Sequence, residues 1–404
     1  MPVRLSFTDA RDLLLKKAEA VGTERVPLSQ CGGRVLARDL AAVTDVPAFD
    51  CSPYDGYAFR AEDSAGASGE TPVTLRVLGE LPAGSAPTAA VTKGTAVRLM
   101  TGAPIPPGAD AVCKYEDTVF TPETVTLYQP FKQGDNIVRT GEDVQKGEIL
   151  ACAGEGIDAG IAGALAAQGI AFPLVYREAA IGIISTGDEV REATAALDSG
   201  KIYNSNRHML EAVLKSAGLK PVYLGLAGDS KEEIRGLINQ GLTVCDAIVA
   251  TGGVSVGDYD FMPEAMESAG AEILFRGVDL KPGMACAYGI RDGKLICGLS
   301  GSPASSLTNF YAVALPALKK IAGWRSAVPQ EITVTLKTGF PKKSPKTRLL
   351  RGRLELSDGT VKMALSRDQG NMVLSSAIGC NVMAVVPAGS GPLAAGTTLK
   401  GFLL

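Results

Sequence analysis

At 404 residues, 46% apolar and 21% charged, the chain has room for two to four domains of roughly 100–200 residues each and lacks the composition of a disordered or membrane protein. Its 40 Lys and Arg against 43 Asp and Glu leave no broad positive field, which argues against nucleic acid or an anionic membrane surface as a partner. The opening MPVRLSFTDARDLLLKKAEAV places charges through every apolar stretch, so no signal peptide or membrane span is expected and a cytoplasmic location is.

Residues 6–21 set Leu13, Leu14, Ala18 and Val21 on one helical face, with Ser6 and Asp9 as a capping box. Residues 42–143 are short Val- and Thr-rich runs between Gly and Pro, which predict a β-rich domain. The segment 154–169 returns to helical period and is expected to pack on the N-terminal helix, making a discontinuous linking domain of residues 1–41 and 144–177. From 178 to 327 apolar runs alternate with helices, the pattern of a central doubly wound α/β domain with a mostly parallel sheet. Ser230 and Glu233 predict another capping box, while Gly218, Gly241 and Gly270 stand where helices should stop. Asp292-Gly293 predicts a hairpin, and Ser302-Pro303 opens a last helix that should end near Gly323. Residues 328–404 read as a small C-terminal all-β, barrel-like domain.

The eight cysteines form no CxxC pair and are expected to be reduced and mostly buried. The single histidine, His208, sits in a helix and is expected to be structural or on the surface, and Trp324 to pack at a domain junction.

In a doubly wound sheet ligands bind beyond the carboxyl ends of the strands. Three loops there are rich in Gly, Ser, Thr and acid: Ser185-Thr186-Gly187-Asp188-Glu189, the run from Thr251 through Gly252, Gly253, Ser255, Gly257 and Asp258 to Asp260, and Leu299-Ser300-Gly301-Ser302-Pro303. Glycines let backbone N–H groups approach an anion, and the helix dipole beyond them favours it. The plainer alternative is a set of tight turns. Two like charges about 4 Å apart cost around 4 kcal/mol at an effective dielectric of 20, so phosphate beside Asp188, Glu189, Asp258 and Asp260 calls for a divalent cation, and hard oxygen ligands suit Mg²⁺. Helix capping is the alternative role for Asp258 and Asp260.

Outside that domain, Asp55-Gly56-Tyr57-Ala58, Thr101-Gly102-Ala103-Pro104 followed by Gly108-Ala109-Asp110-Ala111-Val112, and Gly141-Glu142-Asp143 each read as ordinary turns. Taken in order with TGDE, Tyr203-Asn204-Ser205-Asn206, TGGVSVGDYD and Lys281-Pro282-Gly283, they closely resemble the MoeA-type molybdopterin molybdenumtransferases, relatives of the gephyrin E domain. The resemblance spans nearly the whole chain. It implies an elongated homodimer that takes adenylylated molybdopterin and molybdate as substrates, inserts the metal, and cleaves the pyrophosphate linkage with Mg²⁺ and release of AMP. It further implies supply by a molybdopterin adenylyltransferase and delivery to apo-molybdoenzymes.

By the same resemblance Asp55, Thr101 and Asp143 act from the partner chain's side of a cleft, while Glu189, Asp229 and Asp260 line the central domain's side. Ser205 and Asn206 hydrogen-bond the ligand, with Ser205 as a helix N-cap the simpler alternative; capping is also the alternative for Asp229. Three departures stand out: Ser300-Gly301-Ser302-Pro303 replaces a PGNP turn, Met284 stands where a second lysine follows KPG, and Tyr54 replaces a methionine. Lys281 with Arg348, Arg351, Arg353 and Arg367 offers charge to compensate, with solvated surface the plainer alternative for the arginines. Two rival readings accompany the main one: a paralogue that carries molybdopterin without efficient metal insertion, and an enzyme that adenylylates molybdopterin.

Overall fold

The computed structural model describes residues 4–255, 261–357, 359–366 and 368–404. It falls into two compact units: residues up to Arg38 with Ala153–Ala162 and Phe172–Leu404 form the first, and Asp39–Cys152 with Gly163–Ala171 the second.

The first unit is organised by a six-stranded sheet ordered Lys220–Ala227, Ala180–Thr186, Ala247–Thr251, Lys294–Leu299, Cys286–Arg291, Glu272–Arg276. The first four strands are parallel to one another, and Cys286–Arg291 runs antiparallel to both of its neighbours. Successive residues of a strand face opposite sides, and both sides here are apolar. Ile181, Ile183, Val249 and Leu295 pack with Leu210, Leu214 and Phe310 on one face, while Ile184, Ile248, Ala250 and Ile296 pack with Ile234, Ile238, Met262 and Met266 on the other. That double burial explains why the strands read as unbroken apolar runs and not as alternating ones.

The N-terminal helix Phe7–Lys17 starts at Ser6, whose Oγ accepts from Asp9 N at 3.1 Å and donates to the Asp9 carboxylate at 2.7 Å. It ends four residues earlier than the apolar period suggested, and it packs on the last helix, its Ala10 and Leu14 entering the α/β core. Ser230 caps Lys231–Val244, but the Glu233 carboxylate turns to Gly228 N at 2.8 Å, leaving the capping box half made. Gly218 and Gly270 follow their helices at φ +72° and +80°, the left-handed stop expected of them. Gly241 does not: it lies inside its helix, where a side chain would meet Leu224 Cδ1 at 2.5 Å and Ile248 Cδ1 at 2.9 Å. Close helix-to-sheet approach, not chain reversal, requires that glycine.

Asp292 and Gly293 both take positive φ and join Cys286–Arg291 to Lys294–Leu299 as a two-residue hairpin. The last helix runs in three pieces, Pro303–Asn309, a π-turn Phe310–Ala314 and Leu315–Ile321. Pro316 has no N–H to continue the α ladder, which accounts for the slip. Beyond it, Glu331–Thr335, Thr398–Leu403, Val382–Val386, Arg348–Ser357 and Thr360–Leu365 form an antiparallel sheet, and a parallel bridge from Leu336 to Met363 brings its two edges together as a barrel.

In the second unit the strands order as Ala111–Lys114, Gly56–Phe59, Thr95–Leu99, Val73–Leu81, Thr124–Leu127, Thr118–Phe120. Tyr57, Phe59, Leu75 and Leu127 fill one face, and Ala58, Val97, Leu99 and Val112 the other.

All eight cysteines are free and five are buried. His208 is exposed beside Glu211, and the Trp324 ring lies against Gly156 with the Lys319 ammonium over it. Among the described residues no helix is long and apolar enough to cross a membrane.

Candidate functional site

The parallel ladder sets Ser185 opposite Thr251, and Thr251 opposite Leu299. The three glycine-rich loops therefore begin at one level of one sheet edge, although up to 114 residues separate them. They surround a pocket of about 1180 Å³ lined by Thr186, Gly187, Glu189, Ser205, Asn206, Asp229, Gly252, Gly253, Ser255, Lys281, Ser300, Gly301 and Ser302, among others. This exceeds the roughly 300–1,000 Å³ of ordinary small-molecule sites. Gly257, Asp258 and Asp260 lie outside the described residues.

The glycines shape these loops more than they donate to a ligand. Gly187 N–H is taken by Ala227 O at 3.2 Å and Gly252 N–H by Leu299 O at 2.9 Å. At Gly252, φ is +102° and a Cβ would lie 2.3 Å from Thr186 Oγ1 and 2.8 Å from Thr186 O, an approach no side-chain-bearing residue allows. A Cβ on Gly187 would stand only 2.5 Å from Glu189 Oε2. Asp188 and Asp229 brace the loops: Asp229 N donates to Asp188 Oδ1 at 3.1 Å and Asp188 N to Asp229 Oδ2 at 3.5 Å. Asp229 is thus a loop residue at the pocket, and Ser230 is the helix cap.

The N-cap of Ser205–Ser216 is Asn204, whose Oδ1 accepts from Arg207 N at 3.2 Å, so Ser205 is the first helical residue and not the cap. Asn204 is held beneath the pocket by Ser185 Oγ at 3.0 Å and Glu192 Oε1 at 3.1 Å. Burial works against the Glu192 charge, but hydrogen bonds from Tyr223 and Asn204 and the Arg207 charge outweigh it and lower its pKa. Asn206 Nδ2 donates to Gly301 O at 2.9 Å, tying the helix Ser205–Ser216 to the third loop, while its buried Oδ1 has no donor among the described residues.

The pocket's cations are Arg4, Lys281 and Lys346. The expected compensation by Arg348 and Arg351 is corrected: both are buried, Arg348 bonded to Ser344 Oγ and Arg351 to Ser376 Oγ, and neither they nor Arg353 line the pocket. Arg367 lies outside the described residues. Arg4, Lys346 and Glu192 escaped the sequence reading, as did the capping role of Asn204. Asn204 carried a capping signal, whereas Arg4 and Lys346 carried none, because distant segments bring them in.

In the second unit Asp55 Oδ1 accepts from Thr101 N at 2.7 Å and Thr101 Oγ1 at 2.8 Å. These bonds, the backbone one foremost, hold the Asp55 carboxyl below the usual range. Asp143 is exposed, its N–H bonded to Val46 O.

No three His, Cys, Asp or Glu side chains converge on a metal position among the described residues. The acids lining the pocket, Glu189 and Asp229, offer hard oxygen donors without His or Cys, a donor type that fits Mg²⁺.

A doubly wound sheet whose carboxyl edge gathers Gly/Ser/Thr loops, carboxylates and cations around one pocket defines an α/β protein with a small-molecule site at its strand ends. Residues 5–169 match the MoeA N-terminal region (domain I and II), 182–320 a probable molybdopterin binding domain, and 333–403 the MoeA C-terminal region (domain IV). The molybdopterin molybdenumtransferase of Staphylococcus epidermidis is 36% identical over 392 residues, covering 97% of this chain and 94% of the relative; that of Staphylococcus aureus is 35% identical over 377 residues, covering 93% and 89%. The structure of the molybdopterin biosynthesis MoeA protein from Pyrococcus horikoshii superposes with TM-score 0.85 at 29% identity over the full length of both chains. The chain belongs to the MoeA family of molybdopterin molybdenumtransferases.

Proposed function

We propose that the pocket binds adenylylated molybdopterin and molybdate, and that the enzyme inserts the metal while the pyrophosphate linkage is cleaved and AMP released. The chain is an enzyme of molybdenum cofactor biosynthesis, with molybdopterin as its substrate. The observation that carries the finer reading is the level convergence of the three loops on one large pocket holding both acids and cations.

In this reading Thr186, Ser205, Asn206, Ser255 and the Ser300–Ser302 turn hydrogen-bond the ligand, with Gly187, Gly252, Gly253, Gly257 and Gly301 leaving it room and Lys281 facing its negative charge. Glu189 and Asp229, with Asp258 and Asp260, would hold Mg²⁺, which supplies charge neutralisation at the phosphoryl group. Glu189 and Asp229 also orient the attacking water oxygen. Its attack on phosphorus breaks the bridging P–O bond, and AMP leaves with the bridging electron pair. A second copy of the chain contributes Asp55, placed by Thr101, together with Asp143, so the working form is a homodimer.

The chain works in the cytoplasm in this reading, between an adenylyltransferase and apo-molybdoenzymes. Its domains divide as 1–41 with 144–177, 42–143, 178–327 and 328–404.

Purified protein given adenylylated molybdopterin, molybdate and Mg²⁺ should release AMP and yield cofactor that activates a molybdenum-free apoenzyme. Tight binding with neither outcome would replace this reading with a carrier role. Mixing Asp55→Ala and Glu189→Ala chains should restore activity through one intact composite site, and no recovery in confirmed heterodimers would rule out shared sites.

A further inference from the structure

Met284, three residues after Lys281, is met by cations from two distant segments. The short strand Leu5–Ser6 pairs in parallel with Val278–Asp279, Leu5 opposite Val278. That register puts Arg4 beside Gly277, its Nε 3.4 Å from where a Cβ would stand, and lets Arg4 Nη1 reach Met284 Sδ at 3.4 Å. From the barrel side, Lys281 N donates to Thr347 O at 2.9 Å and Leu349 N to Lys281 O at 3.0 Å. This clamp presents Lys346, whose Nζ reaches the same Met284 sulfur at 3.6 Å and pairs with Asp279 at 3.0 Å. Three segments far apart in sequence thus bring Arg4, Lys281 and Lys346 into the lining of one pocket.

A thioether is a weak acceptor and carries no charge, so Met284 gathers the two cations without neutralising them. Asp279 offsets one of the three charges; no ion pair involves Arg4 or Lys281 among the described residues. Like charges brought together at a pocket wall repel one another unless an anion joins them.

We infer that Arg4 and Lys346, arranged around Met284, form with Lys281 a binding rim for a tetrahedral oxyanion, either a phosphoryl group of the substrate or the oxymetalate. This rests on the substrates proposed above and adds two residues to their recognition. Arg4 and Lys346 supply the charge that Met284 lacks. Arg offers a planar fork of donors and Lys a mobile point charge, a pair able to grip neighbouring oxygens of one anion.

The test titrates sodium molybdate and inorganic pyrophosphate separately into wild-type protein, Arg4→Met, Lys346→Met, the double variant and Met284→Lys. Loss of each charged contact should weaken the bound probe about tenfold or more and flatten its salt dependence. The charge-retaining Arg4→Lys and Lys346→Arg should stay within about threefold. Met284→Lys should tighten the same probe and steepen its salt dependence, a readout that survives even if an Arg4 variant folds poorly. A loss confined to molybdate identifies the anion as the oxymetalate, and one confined to pyrophosphate identifies it as phosphoryl. Natively melting double variant that binds both probes like wild type, or Met284→Lys that changes neither, overturns the rim. AMP release by wild-type protein is measured alongside, so failure of the proposed reaction is read separately from failure of the rim.

Discussion

At the scale of single residues, Asp246 shows how one carboxylate sets a strand start. Its Oδ2 accepts from Arg177 Nη1 at 2.8 Å and from Ala180 N at 2.8 Å, at the entrance to the strand Ala180–Thr186. Burial opposes the charge, but the Arg177 and Ala180 bonds prevail and lower the pKa below 3.8. A depressed folded pKa contributes stability that is present above the unfolded value and lost as pH falls through the folded one. Asp246→Asn should therefore cost about 2 kcal/mol near neutrality and progressively less below pH 3.8; melts of both proteins at pH 7 and pH 3 would show the gap narrowing. At the pocket, Gly252→Ala combines positive φ with a clash against Thr186 backbone. A cost of about 1–3 kcal/mol should displace the loop, with AMP release falling at least tenfold while far-UV circular dichroism stays native.

Among elements, the helix Lys231–Val244 tests packing against propensity. Ala in a helix interior is favoured over Gly by about 1 kcal/mol, yet at Gly241 the new methyl meets Leu224 and Ile248 within 3 Å. Overpacking of this kind costs about 1–3 kcal/mol. Gly241→Ala should thus lose up to about 2 kcal/mol, and a denaturant titration showing a gain instead would mean the sheet yields there. Periodicity marked the helix correctly but misread this glycine as its end. Stop and close-contact glycines look alike in sequence, and only φ and the neighbouring atoms separate them.

For the whole first unit, Arg351 joins the barrel to the α/β layer. Its side chain is fully buried, with Nε bonded to Ser376 Oγ at 2.8 Å, Nη2 to Gly370 O at 3.2 Å and Nη1 to Thr308 Oγ1 at 3.5 Å, and no carboxylate in an ion pair with it among the described residues. Burial lowers its pKa, though not enough to discharge an arginine. The charge is held by neutral oxygens on both sides of the contact. Arg351→Ala removes those bonds and leaves a cavity, an expected loss of about 3–5 kcal/mol. Arg351→Met, which refills the space, should recover part of it. Limited proteolysis should cut first between the last helix and Glu331–Thr335 in the Ala variant; an unchanged pattern would show the barrel is anchored elsewhere.

The sequence alone determined the alternation of apolar runs and helices, hence the doubly wound domain, because each strand's double burial and each helix's single apolar face are written in local periodicity. It also determined that the three glycine-rich loops share one sheet edge, since residues following a parallel strand have one edge to go to, and the ordered motifs that mark the family. Tertiary structure alone decided that the N-terminal helix joins the α/β core, that Asn204 and not Ser205 is the cap, and that Arg348 and Arg351 turn inward while Arg4 and Lys346 reach the pocket. Those outcomes hang on strand register and on contacts between segments as far apart as Arg4 and Lys346. A charge in sequence has no direction until the ladder beside it is laid down, and so its partners are set by geometry that no local pattern encodes.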